Sequence, residues 1–205
     1  MKTLARVLLA SAVFVLTASA DLLSNGSFEL PNIGNNFYAT YYGGDSVGIP
    51  GWTVTGTSVD VVSVLGNNSY PAEAGNQSID LAGTPGPGGV EQTFATIAGW
   101  SYNISFWVSG NGGPQALNVF WNDPTHTYAP VATFNTPAEP TWTQEQITLQ
   151  ATGSSSTVEF YTSNTSNQGP MLDNVSATAV PEPGSILLLG TLLVGVASLL
   201  KKRLA

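Results

Sequence analysis

The chain has 205 residues, with 13 acidic and 5 basic side chains, a formal net charge of −8 and no cysteine. Its Lys and Arg residues all lie at the ends, at Lys2, Arg6, Lys201, Lys202 and Arg203, so the body from Asp21 to Val180 has none. Nucleic acid is thereby excluded as a partner, because an acidic body repels polyanions. A disulfide framework, a thiolate metal site and a Cys nucleophile are excluded as well.

The first predicted element is a secretory leader over residues 1–20. Lys2 and Arg6 form its basic start, Val7 to Leu16 its apolar run, and Ala18-Ser19-Ala20 its small-x-small signal-peptidase site. Residues 21–179 then read as one β domain, in which short alternating runs are separated by Gly, Pro, Asn and Ser clusters. Strands are expected at "SVDVVSV", "QSIDLAG" and "GVEQTFATI", with "GTPGPGGV" as a tight loop. In "SYNISFWVSG", Tyr102, Ile104, Phe106 and Val108 share one face, and Asn103, Ser105 and Trp107 the other. "QALNVFW" groups Leu117, Val119 and Trp121, with Asn118 and Phe120 opposite. "TQEQITLQA" groups Ile147, Leu149 and Ala151, and "STVEFYTS" pairs Val158 with Phe160. "NNFYATYYGGDS" reads as a tyrosine-rich loop. The expected fold is all-β: a single antiparallel β-sandwich of the jelly-roll type, and roughly 160 residues suffice for its core without disulfides.

Residues 180–205 form the last segment. Pro181-Glu182-Pro183 stops any helix from running back into the body. Ile186 to Leu200 is an apolar stretch of fifteen residues, and Lys201, Lys202 and Arg203 follow it. A comfortable membrane helix needs about 20 residues, and basic flanks at both ends place the body outside the cytoplasm. This tripartite tail resembles the PEP-CTERM sorting signal of Gram-negative bacteria. The resemblance implies an exosortase that processes the chain, transient anchoring in the inner membrane through the apolar helix, and delivery to the cell surface or an exopolysaccharide matrix.

In the body, "LLSNGSFELP", "IPGWTVTGTSVDVV", "AGNQSIDLAGTPGPGGVEQTFATIAGWSYNISFWVSGN" and "GPMLDNVSATAV" occur in the order seen in the choice-of-anchor C family. Members of that family are bacterial surface proteins related to plant cell-wall proteins. The likeness implies a galactose-binding-like sandwich. Carbohydrate-binding jelly rolls carry a similar N-G-x-F-E near the start and D-N/D-V near the end, and there the pair frames a structural calcium. The resemblance therefore implies Ca²⁺ at Glu29 and Asp173, with hard oxygen ligands as that ion requires. The plainer alternative is that both carboxylates accept hydrogen bonds from turn amides.

Catalysis lacks its parts. His126 is the single imidazole, its Pro-flanked loop predicts a solvated side chain, and no G-x-S-x-G elbow is present. Asp60, Glu73, Asp80 and Glu91 include carboxylate pairs of the kind a glycosidase uses, but any acidic protein offers such pairs. Aromatic rings with Asn, Gln and Asp beside them suit the apolar face and hydroxyls of a sugar. Besides Phe37, the candidate rings are Tyr38, Tyr41, Tyr42, Tyr70 and Trp107, while Trp52, Trp100 and Trp142 are expected to pack. With no cationic side chain to hold a carboxylate or sulfate, the expected ligand is a neutral polysaccharide, bound without catalysis. The alternatives are a passive surface or biofilm protein and a polysaccharide-active enzyme.

Overall fold

Alternation of apolar and polar residues dictates which strands can bury one face, and the fold follows it. The computed structural model describes residues 20–66, 72–123, 125–180 and 190–191. Among these, the first four strands are β1 (Tyr38–Tyr42), β2 (Thr53–Gly56), β3 (Ser58–Ser63) and β4 (Gln77–Asp80). Next come β5 (Gly88–Ala95), β6 (Ser101–Gly110), β7 (Ala116–Trp121) and β8 (Ala132–Asn135). The last are β9 (Thr143–Gln150), β10 (Ser155–Tyr161) and β11 (Pro170–Val180). They form a jelly-roll sandwich of a six-stranded sheet, in the order β1-β3-β4-β11-β6-β9, and a five-stranded sheet, in the order β2-β5-β10-β7-β8. Every strand pair in both sheets is antiparallel.

The core lies between the sheets. Ile104, Phe106 and Val108 of β6, Leu117 and Val119 of β7, and Val158 and Phe160 of β10 are fully buried, as their alternation predicts. Burying each such side chain contributes about 1.5–3 kcal/mol. Trp52 packs tilted on Phe28 at 5.3 Å and edge-on to Phe160 at 6.4 Å, and its indole N–H reaches the Asn25 carbonyl at 3.0 Å. The N-terminal segment joins β11 through hydrogen bonds from Leu22 N to the Ala177 carbonyl and from Val175 N to the Gly26 carbonyl. A Cβ on Gly26 would collide with the Val175 carbonyl, so only glycine lets the two chains approach this closely.

The structure corrects one reading directly. The tyrosine-rich stretch is not a loop but the edge strand β1, paired in register with β3 from Tyr38↔Val62 to Tyr42↔Ser58. Tyr-Ala-Thr-Tyr-Tyr lacks the apolar alternation that marks a half-buried strand, because an edge strand gains its stability from ladder hydrogen bonds and one neighbour. Among the described residues, no helix is long and apolar enough to cross a membrane. The apolar run 186–189 and 192–200, the Pro181-Glu182-Pro183 motif, the basic Lys201-Lys202-Arg203 and most of the leader lie outside the described residues.

Candidate functional site

Two residues apart on a strand means one face, and this rule sorts the β1 tyrosines. Tyr38 and Tyr42 share the outer face of the six-stranded sheet and are 45% and 60% exposed. Tyr41 has the opposite phase and packs against the core with Ala39. Tyr41 is therefore a packing residue, contrary to its reading as a glycan-binding ring. Burial, then the nearby Asp45 carboxylate, raises the pKa of its phenol. Trp107 does lie on the outer face, half-buried and opposite Asp173 and Gln144 in the register. Four strand spacings separate β6 from β1, about 19 Å at ~4.8 Å each, so Trp107 and Tyr38 do not flank one sugar ring. Tyr70 lies outside the described residues.

A cleft opens where Tyr38 stands. Phe37 and Tyr38 form one wall, with rings 5.5 Å apart and nearly perpendicular at 80°. Asp60, Val62 and Asp80 form the floor, and Thr84, Asn111, Asn167 and Gln168 come in from three loops. Asp60 and Asp80 are direct cross-strand partners of β3 and β4, pointing to the outer phase of both strands. Alternation predicts solvated carboxylates there. Instead they are only 5% and 2% exposed, because the β4–β5 and β10–β11 connections and the segment after β6 fold across them.

Hydrogen bonds set the floor. Asp80 Oδ1 accepts from the amides of Ala82 (2.8 Å) and Gly169 (3.1 Å), and Oδ2 accepts from Asn111 Nδ2 (2.7 Å). Even so, burial pushes the Asp80 carboxyl up to about 7, and the charge on Asp60 adds to the shift. Asp60 Oδ2 accepts from the Thr84 hydroxyl at 2.8 Å. Asp60 Oδ1 and Asn111 Oδ1 are buried and have no hydrogen-bond partner among the described residues. Two unsatisfied acceptors in one cleft call for a donor or a cation.

Glu29 and Asp173, expected as a calcium pair, meet at the same loop from opposite ends. Asp173 Oδ2 accepts from the amides of Glu73 (2.8 Å) and Ala74 (3.0 Å), and Glu29 Oε1 from those of Asn76 (2.8 Å) and Gln77 (2.7 Å). Asp173 Oδ1 takes a third amide, from Asn174 at 2.6 Å, where a β-bulge shifts the register. Both carboxylates thus fasten residues 73–77 to the sandwich, the plainer of the two readings. Desolvation raises the Asp173 carboxyl to about 7 against the pull of those amides. Among the described residues, no three His, Asp or Glu side chains group as a metal site.

The outer face of the five-stranded sheet carries a second acidic pair, Glu91 opposite Glu159. Here His126 departs from its expected solvation. Its Nε2 sits 2.8 Å from Glu159 Oε2, and its ring stacks on Phe120 at 4.1 Å and leans on Tyr161 at 4.4 Å. Thr55 Oγ1 donates to Glu159 Oε1 at 2.6 Å. Burial, then the Glu159 charge, raises the pKa of Glu91, while His126 opposes the shift. The loop that delivers His126 is built on Asp123, which accepts the amides of Thr127 and Tyr128 at 3.0 and 2.7 Å.

Sequence reasoning singled out the aromatic wall; it met Asp60 and Asp80 only among carboxylate pairs that any acidic protein offers, and it did not reach Thr84, Asn111 or Gln168. Those three come from separate loops, and no spacing links them.

The chain belongs to the DUF642 family of proteins of unknown function, matching it over residues 21–178. Residues 179–203 match the PEP-CTERM protein-sorting motif, which marks the chain for export. No curated protein matches the sequence. Among solved structures, the chain is similar to the CBM22-1 xylan-binding domain of Paenibacillus barcinonensis Xyn10C. The two are 18% identical over 70% of this chain and 94% of that one, with a TM-score of 0.49. It is similar also to a family 35 carbohydrate-binding module of Clostridium thermocellum, 13% identical over 68% and 96% of the chains, with a TM-score of 0.46. CBM35 of Paenibacillus barcinonensis is 16% identical over 70% and 99%, with a TM-score of 0.45.

Proposed function

We propose that this protein is displayed on the cell surface or in the extracellular matrix of a Gram-negative bacterium, where its sandwich binds neutral polysaccharide without cleaving it. One observation carries the reading: the Phe37–Tyr38 wall stands over a floor of hydrogen-bond acceptors, in a body without a single Lys or Arg. A sugar ring lays its C–H face on an aromatic side chain and donates its hydroxyls to the acceptors below. An anionic sugar would meet repulsion unless a calcium ion bridges it to the surface. The contact is shallow, so affinity is weak, about 10 μM to 1 mM, and many copies on one surface raise the avidity.

Signal peptidase removes the leader, and an exosortase processes the tail after its helix has held the chain in the inner membrane. Protein recovered from the surface should then end near Pro181 to Pro183 by mass spectrometry. An intact Ala205 terminus would contradict this. A calcium ion at the Glu29–Asp173 loop is a separate proposal, with backbone carbonyls supplying its other ligands.

The decisive experiment is retention on immobilised neutral polysaccharides. Tyr38→Ala should lower affinity about tenfold or more with unchanged melting, and added salt should hardly matter. Tyr41→Ala, on the core face, should cost stability and leave the folded protein's affinity alone. If no neutral glycan is retained, the reading falls to a passive surface protein. Release of reducing ends would replace it with an enzyme.

A further inference from the structure

Two buried carboxylates face each other across β3 and β4, and the body contains no Lys or Arg to balance them. Like charges placed directly opposite in a sheet destabilise it. A buried charge in a folded protein is paired, protonated or coordinated to a metal. Asp80 is partly relieved by the amides of Ala82 and Gly169 and by Asn111 Nδ2. Among the described residues, Asp60 has one hydroxyl, from Thr84, on Oδ2 and nothing on Oδ1.

A second observation, independent of the acidic pair, points the same way. Asn111 is held against Asp80 by its Nδ2, is 7% exposed, and leaves its own Oδ1 buried without a partner. A sugar hydroxyl or a water would satisfy the two orphan oxygens but would do nothing for the charge. A cation answers both.

We propose that Asp60, Asp80 and Asn111 form a binding site for one calcium ion on the floor of the cleft. The primary ligands are Asp60 Oδ1 and Asn111 Oδ1, with Asp80 adding its charge and water completing the shell. The donor set is all oxygen, which selects a hard cation. A mixed set of carboxylate and amide on two strands and a loop suits the flexible coordination of calcium better than the strict octahedron of magnesium. Metals that require a thiolate or an imidazole find none here, since the chain lacks cysteine and its single imidazole is bonded to Glu159 on the other sheet. This site is distinct from the Glu29–Asp173 loop, and it does not depend on a sugar being bound.

The test is calorimetric titration of the full chain with calcium alone, after stripping with chelator, at pH 8. A site with a dissociation constant of about 0.1–1 mM, the range of extracellular calcium modules, is expected at Asp60, apart from any binding at the Glu29–Asp173 loop. The melting temperature should rise with the metal, because the ion binds only the folded chain. Asp60→Asn should weaken binding at this site at least tenfold, while Glu29→Gln and Asp173→Asn, which act on the loop, should leave the affinity of this site within twofold of the parent. Should Asp60→Asn fail to fold, Asn111→Asp supplies an independent reading. A third carboxylate lowers the melting temperature of the stripped protein, and calcium then binds about tenfold more tightly and restores it. The proposal is overturned if about 10 mM calcium produces neither heat nor a melting shift. It is equally overturned if Asp60→Asn binds as the parent does, or if Glu29→Gln and Asp173→Asn together abolish all calcium binding.

Discussion

The two sheets meet the same electrostatic problem in two ways. Each carries a carboxylate pair in direct register on its outer face, Asp60 with Asp80 on one and Glu91 with Glu159 on the other. In the five-stranded sheet a loop anchored on Asp123 brings His126 to within 2.8 Å of Glu159, so an imidazole of the chain itself stands beside the charge. In the six-stranded sheet the covering loops bring an amide, a hydroxyl and backbone N–H groups, and no cationic group. The first pair is closed by the chain. The second is left to a proton or a bound ion, and it is the one that lines the cleft. A buried like-charge pair without an internal counter-ion marks a place where a ligand improves the folded state.

The largest expected effect is on pH dependence, measured by urea unfolding in chelator between pH 4 and 9. The Asp80 and Asp173 carboxyls are raised from 3.8 to about 7 in the folded chain. The folded state therefore binds more protons than the unfolded one between these values. Stability is fully present below about pH 4 and is lost as pH rises to about 7, on the order of several kcal/mol for the two groups together. Asp45 and Asp123, lowered by turn amides, act in the opposite sense, but both are partly exposed and the effect is screened. Asp80→Asn should flatten part of the slope. A stability curve level from pH 4 to 7 would show that the six-stranded pair carries no such strain.

Making the closed pair resemble the open one has the next largest effect. His126→Ala removes the partner of Glu159, which is 1% exposed, along with the ring stacked on Phe120. The imidazole side chain is itself 29% exposed, so the cost is put at about 2–3 kcal/mol, below that of a fully buried pair. In a Glu159→Gln background the same change should cost at least ~1 kcal/mol less, if the charge and not the stacking carries the coupling. Equal costs in both backgrounds would sink the comparison.

The smallest effect comes from the reverse exchange, making the open pair resemble the closed one. Thr84 is exposed and donates to Asp60, so Thr84→Lys offers an ammonium from the same place. Melting at pH 8 should rise by the equivalent of about 0.5 kcal/mol, as for a surface ion pair, and the gain should vanish near pH 4. The lysine should also compete with calcium. A variant that binds the ion as tightly as the parent would place the ion elsewhere.

Much of this was legible in the residues. Alternation in "SYNISFWVSG", "QALNVFW" and "STVEFYTS" assigned the core faces correctly, because a strand's period of two admits only one phase that buries its apolar set. The absence of Lys and Arg between Asp21 and Val180 fixed the electrostatic character of every surface before any was built. The tyrosine-rich stretch shows no such alternation and read as a loop, since β1 is an edge strand whose place is set by its partner β3 and not by its own hydrophobicity. In the structure Asp60 and Asp80 take the phase opposite to buried Val59, Val61 and Ile79 and so stand on an outer face, which a period of two is able to express. It did not show that the face is roofed. Whether an outward carboxylate meets water or a covering loop depends on segments far away in the chain: Asn111 lies 31 residues from Asp80, and Gly169 lies 89 away. Alternation is a local property and passes directly from sequence to face. Burial, and with it the shifted pKa and the unsatisfied oxygens, is a property of what folds on top, and only the tertiary structure decided that.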